Sequence, residues 1–94
     1  MLAKIAVESV AEETFRITVT EGGGQSSHVV TLKPEYHRKL TAGKISAEEL
    51  VRRSFEFLLE REPKDSILAN FDLPVIGRYF PEYETEMRKR SGAL

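Results

Sequence analysis

The stretch that decides the fold runs from Ser46 to Glu62 and reads SAEELVRRSFEFLLERE. It begins with a capping box, in which the Ser46 hydroxyl is expected to accept the amide of Glu49 and the Glu49 carboxylate to reach back to the amide of Ser46. Pro63 follows, and proline does not continue a helix because its ring clashes with the preceding turn. The sequence therefore predicts one main helix over residues 46–62.

The apolar side of this predicted helix is wide. At about 100° per residue, one broad arc contains Leu50, Val51, Ser54, Phe55, Phe57, Leu58 and Leu59. An arc of this width predicts contacts on two sides, which we assign to a sheet and to the C-terminal segment. On the polar side, Glu49 and Arg53 have the spacing and order of a favourable i,i+4 ion pair.

The residues before the helix alternate between apolar and polar side chains, as strands do. The alternation is seen in KIAVESV at 4–10, TFRITVT at 14–20 and HVVTL at 28–32. Val30 and Leu32 are the expected core side of the third segment, and the run 22–27 is expected to be a loop. The pattern predicts a three-stranded antiparallel meander over residues 1–33 with one solvent-exposed face. A helix over residues 2–14 is the competing interpretation.

The rest of the chain is predicted to be helical and interrupted by prolines. Short helices are expected at residues 34–40, 64–71, 75–80 and 82–90. In the last of these, acidic residues precede basic ones, which suits the helix dipole. Together the patterns predict a single α+β domain, with a sheet at 1–33, helices at 34–90 and a frayed tail at 91–94.

The composition excludes several classes of function. The chain has 94 residues, a formal net charge of −1 and no cysteine, so thiolate catalysis, disulfides and cysteine-based zinc sites are excluded. No segment is strongly basic, as a nucleic-acid-binding domain usually is. No apolar run approaches the length of a membrane span, and the N-terminus lacks the apolar core of a signal peptide. We therefore expect a cytoplasmic protein without a cofactor.

No catalytic or metal-binding pattern stands out. His28 and His37 are the only histidines, and their spacing matches no helical metal site, so both are expected to be scattered surface residues. Ser26, His28 and a glutamate could form a catalytic triad on paper, but no sequence feature brings them together. The glycines at 22–24 lack the helix that follows a phosphate-binding loop. We expect a protein that is not an enzyme.

The aromatic cluster near the C-terminus is the most suggestive feature. It consists of Phe71, Tyr79, Phe80 and Tyr83. One interpretation is that these side chains complete the core, with the tyrosine hydroxyls reaching water. The other is that Tyr79 and Tyr83, four residues apart, lie on an exposed surface that binds a protein partner or a second copy of the chain. The predicted function is accordingly a protein-interaction module.

A helix-turn-helix is the competing interpretation of the same region. Ile67–Phe71 and Val75–Phe80 have about the right lengths for two short helices around a turn. The second of them carries one basic side chain, Arg78, whereas recognition helices need several polar and basic groups. A nucleic-acid-associated regulator, small like an antitoxin, is therefore the second-ranked function.

The second half of the chain also carries a recognisable pattern. It consists of the run Ser54–Pro63 followed by Ile67, Leu68, Phe71–Leu73, Ile76 and Tyr79–Glu84. This pattern resembles a family of short uncharacterised prokaryotic proteins, whose C-terminal halves read FLLERE…IL..F.L..I..YFP.YE. The resemblance implies a small stand-alone domain and assigns no activity, cofactor or catalytic residue.

Overall fold

Helix α2, Ala47–Leu59, is the central element of the computed structural model, which describes residues 3–93. The Ser46 hydroxyl accepts the Glu49 amide at 3.1 Å, which confirms one half of the predicted capping box. The return hydrogen bond from the Ser46 amide is not formed, because the Glu49 carboxylate faces Arg52 and Arg53 instead. The Glu49 carboxylate pairs with Arg53 at 3.0 Å, which confirms the i,i+4 ion pair. The predicted end at Glu62 is wrong by three residues. The chain leaves the helix as a turn before Pro63, since a residue that precedes proline disfavours the helical conformation.

Three antiparallel strands precede the helices: β1, Lys4–Ala11; β2, Thr14–Glu21; and β3, Gly24–Thr31. They confirm the meander and exclude the helical interpretation over residues 4–11. The loop between β2 and β3 is shorter than predicted. Gly22 and Gly23 have φ values of 58° and 81°, which form the tight two-residue turn that suits a hairpin. Strand β3 therefore begins at Gly24, within the predicted loop.

A fourth strand, β4, Asn70–Asp72, pairs in parallel with β3, so the prediction of a three-stranded sheet was incomplete. It lies in a region that was predicted to be entirely helical. The Val29 amide donates to the Ala69 carbonyl at 2.7 Å. The backbone of this short segment therefore bonds to β3 instead of forming helical hydrogen bonds. The sheet is mixed, with the strand order β1-β2-β3-β4.

The remaining elements are short. They are α1, Pro34–Thr41; 3₁₀ turns at Lys64–Ser66 and Leu73–Val75; α3, Ile76–Tyr79; and α4, Tyr83–Arg90. Ser91 follows α4 and is buried, and its hydroxyl donates to the Leu40 carbonyl at 2.9 Å. The predicted frayed tail is thus held at its first residue, and Leu94 lies outside the described residues. No helix in the described range 3–93 is long and apolar enough to cross a bilayer.

The core lies on both sides of α2, as the wide apolar arc predicted. Toward the sheet, the Phe55 ring lies 5.3 Å from the ring of His28 and 6.1 Å from that of Phe71. Toward the C-terminal helices, the Phe57 ring lies 5.3 Å from Tyr83 and 5.9 Å from Phe80. The outer face of the sheet is exposed or half-buried along alternate residues, so the domain has one solvent-exposed sheet face.

Phe55→Ala should lower the free energy of unfolding by about 3–5 kcal/mol, because it removes a fully buried ring and leaves a cavity beneath the sheet. The measurement is urea denaturation followed by circular dichroism. Glu56→Ala, the exposed neighbour in the same helix, is the matched control and should change stability by less than about 0.5 kcal/mol. A loss below about 1 kcal/mol for Phe55→Ala would show that this ring is not a core residue.

Candidate functional site

An apolar groove lies between the end of α2 and the segment that runs from the first 3₁₀ turn to α3. It has a volume of about 290 Å³. It is lined by the buried Leu58, Ile67 and Ile76, the half-buried Phe71, Val75, Phe80 and Glu62, and the exposed Ser66, Leu68 and Tyr79. We call this surface the apolar groove.

The rim of the groove carries unusual exposed apolar surface. Tyr79 is 67% exposed and Leu68 is 48% exposed. Among the large hydrophobic residues in the described range, the third that is exposed is Val10, at 40%, on β1. Single exposed apolar residues are normal, but here two of the three exposed large hydrophobic residues of the described range border the same concave surface.

Three of the four aromatic residues predicted as an interaction surface line this groove: Phe71, Tyr79 and Phe80. Tyr83 does not, because it is completely buried, so the expectation that it shares an exposed rim with Tyr79 is wrong. Tyr79 and Tyr83 do not share a helical face despite being four residues apart, because Phe80 has an extended conformation between α3 and α4. Leu68 was not predicted as a rim residue. The sequence signal that could have indicated it is its position next to the core residue Ile67.

Tyr83 instead holds the wall of the groove in place. Its hydroxyl lies 2.6 Å from the Ser54 hydroxyl, which itself donates to the Leu50 carbonyl, so Tyr83 is the donor of the pair. Burial raises the pKa of Tyr83 above its usual range, although the hydrogen bond to Ser54 acts in the opposite direction. Tyr83 therefore stays neutral and acts as a structural anchor.

His28 fixes the other side of the segment. The predicted surface position of His28 is wrong, because it is 3% exposed beneath Leu68. Its Nδ1 lies 2.8 Å from the Leu68 carbonyl, which accepts, so in the neutral ring Nε2 accepts from the Ser26 hydroxyl at 2.8 Å. His37 is half-buried, and its Nε2 lies 2.7 Å from the Ile45 carbonyl.

Ser26 and His28 are thus closer than the sequence predicted, yet they do not form a serine–histidine–acid arrangement. The third partner is a backbone carbonyl, which accepts a hydrogen bond but carries no charge to stabilise an imidazolium. Neither residue lines the apolar groove. The pair therefore ties β3 to the segment around Leu68.

A second, more polar pocket lies on the other side of the same segment, with a volume of about 260 Å³. It is lined by Thr31, Lys33, Tyr36, Asp72, Pro74, Val75 and Arg78. We call it the basic pocket, because two of its three charged side chains are cations. It lies at the C-terminal ends of the parallel strands β3 and β4.

One wall of the basic pocket belongs to a network that joins α1 to α4. The Tyr36 hydroxyl donates to Glu84 at 2.8 Å, and Lys39 pairs with the same carboxylate at 3.2 Å. Burial alone would raise the pKa of Glu84, but the hydrogen bonds from Tyr36 and Lys39 outweigh it and lower the pKa. The one hydroxyl proton of Tyr36 is therefore already donated to Glu84.

Within residues 3–93, no group of three or more histidine, aspartate or glutamate side chains is arranged to hold a metal ion. No protein-family model, curated protein or solved structure matches the chain. The resemblance of the second half to short uncharacterised proteins stays a prediction.

Tyr79→Ala and Tyr83→Ala should differ sharply in stability, although the two residues lie four positions apart. Tyr83→Ala should cost about 3–5 kcal/mol, because it empties a buried site and leaves Ser54 without its donor. Tyr79→Ala should change the free energy of unfolding by less than about 0.5 kcal/mol, since the side chain is mostly in water. Equal losses in urea denaturation would show that Tyr79 belongs to the core.

Proposed function

We propose that this protein is a protein-interaction module whose apolar groove binds an apolar segment of a partner protein. The observation that carries the proposal is the exposure of Leu68 and Tyr79 on the rim of a concave surface. Folding leaves these side chains in water while their neighbours Ile67 and Ile76 are buried. A partner that covers both Leu68 and Tyr79 would bury the apolar surface that folding leaves exposed.

The chemistry of the rim supports a protein partner. Tyrosine is enriched at interaction hot spots, because it combines a large apolar ring with a hydroxyl that remains satisfied at an interface. Fully burying an exposed leucine contributes about 1.5–3 kcal/mol, and Leu68, which is 48% exposed, would contribute roughly half of that. Two such residues beside a preformed groove are the anchors that a modest, reversible interaction needs.

The size and lining of the groove also support this class of ligand. Its volume of about 290 Å³ is at the lower end of the usual range for small-molecule pockets, and its rim is open to solvent. That space suits one or two large side chains from a partner. Glu62 is its one charged lining residue, and a reaction that needs paired acid and base groups would require more than this.

The test is a selection of random peptides displayed on phage, with the folded wild-type protein as the target. We expect enriched peptides that carry aliphatic or aromatic anchors. Leu68→Ser and Tyr79→Ser should each weaken binding of a selected peptide about tenfold or more in fluorescence anisotropy, because each removes a rim anchor.

Val10→Ser is the matched control, because Val10 is an exposed apolar residue on β1 that does not line the apolar groove. It should change the dissociation constant by less than about twofold. The proposal is overturned if no enriched peptide depends on Leu68 or Tyr79, or if Val10→Ser weakens binding as much as the rim variants do.

A further inference from the structure

The basic pocket and the apolar groove are neighbours that share a wall. Val75 lines both of them. On α3, Tyr79 lines the groove and the adjacent Arg78 lines the basic pocket. A partner segment that lies across α3 can therefore reach both surfaces with residues that are close in its own sequence, because an extended chain advances about 3.3 Å per residue.

The polar groups of the basic pocket divide into engaged and available ones. The Thr31 hydroxyl donates to the Asp72 carboxylate, and the Tyr36 hydroxyl donates to Glu84. Lys33 and Arg78, by contrast, form no ion pair with any residue in the range 3–93. Four other cations of the described chain also form no ion pair: Lys4, Arg38, Lys44 and Arg88. What distinguishes this pocket is that two such cations line one concave surface.

We propose that the basic pocket binds an acidic side chain of the same partner segment that fills the apolar groove, which rests on the proposed function. Lys33 and Arg78 supply two cations, against the single carboxylate of Asp72, which already accepts a hydrogen bond. The guanidinium of Arg78 can donate two parallel hydrogen bonds to a carboxylate, and the Lys33 ammonium adds a point charge. The partner is thus an apolar segment with an aspartate or glutamate close to its anchor residue.

This arrangement also gives the segment a direction. The apolar groove does not by itself distinguish the two directions of a peptide, but Lys33 and Arg78 line the basic pocket and not the groove. An acidic residue held in the apolar groove itself would instead share that surface with the carboxylate of Glu62. Charge complementarity therefore decides orientation and specificity, while the apolar contacts supply most of the affinity.

The test uses the peptides enriched on the wild-type protein and their matched forms in which the acidic residue is replaced by its amide. Lys33→Glu and Arg78→Glu should each weaken the acidic peptide about tenfold or more, and the amide peptide by less than about twofold. Lys44→Glu is the control, because Lys44 is exposed and lines neither pocket. Circular dichroism checks that the exposed variants remain folded.

The possible outcomes separate the two proposals. If enriched peptides lack acidic residues, or if the charge reversals leave acidic peptides unaffected while Leu68→Ser weakens them, the inference fails and the proposed function stands. If no enriched peptide depends on Leu68 or Tyr79, the proposed function fails as well. If a single-stranded oligonucleotide displaces the peptide and its own binding falls steeply with salt, the cations serve nucleic acid, and the acidic-segment inference is overturned.

Discussion

Tyr83 packs its ring 5.3 Å from that of Phe57 and places its hydroxyl 2.6 Å from Ser54, in a site with no exposure to solvent. This contact joins α4 to α2, and the rest of the structure depends on it. The sheet covers only one side of α2, so Phe57 and its neighbours need a second layer. Four strands and one helix would leave that apolar side in water, and the C-terminal helices supply the cover.

The apolar groove follows from the way this cover is attached. The segment between α2 and α4 is held at one end by His28 and by the pairing of β4 with β3, and at the other end by Tyr83. Between these fixed points the chain turns over α3, and it directs Ile76 inward and Tyr79 outward. The exposed rim is therefore held by a rigid scaffold, as binding surfaces commonly are.

Sequence patterns predicted the elements whose partners are close along the chain: the hairpins by alternation, and α2 by its cap and apolar arc. Strand β4 was missed because Asn70–Asp72 is too short to show alternation and pairs with a strand far away in sequence. His28 was placed on the surface although it shares the parity of the core residues of β3, a signal that its polar type obscured. Tyr83 was expected beside Tyr79 on one exposed surface, and the break between their helices at Pro81 was predicted. The burial of Tyr83 was not predicted, because it depends on contacts with Phe57 and Ser54, which are distant in sequence. The groove is formed by residues from several elements. Local sequence patterns therefore predicted its aromatic residues Phe71, Tyr79 and Phe80, but they could not predict that these residues line a concave surface.

Native-state hydrogen exchange tests the central claim most directly, through the amides of Met87 in α4 and Ile17 in β2. If Tyr83 makes α4 part of the same cooperative unit as the sheet, both amides exchange through global unfolding. Their opening free energies should then agree within about 1 kcal/mol and fall with the same denaturant dependence. An opening free energy for Met87 that lies several kcal/mol below that of Ile17 would contradict the account, because α4 would then detach while the sheet and α2 stay folded.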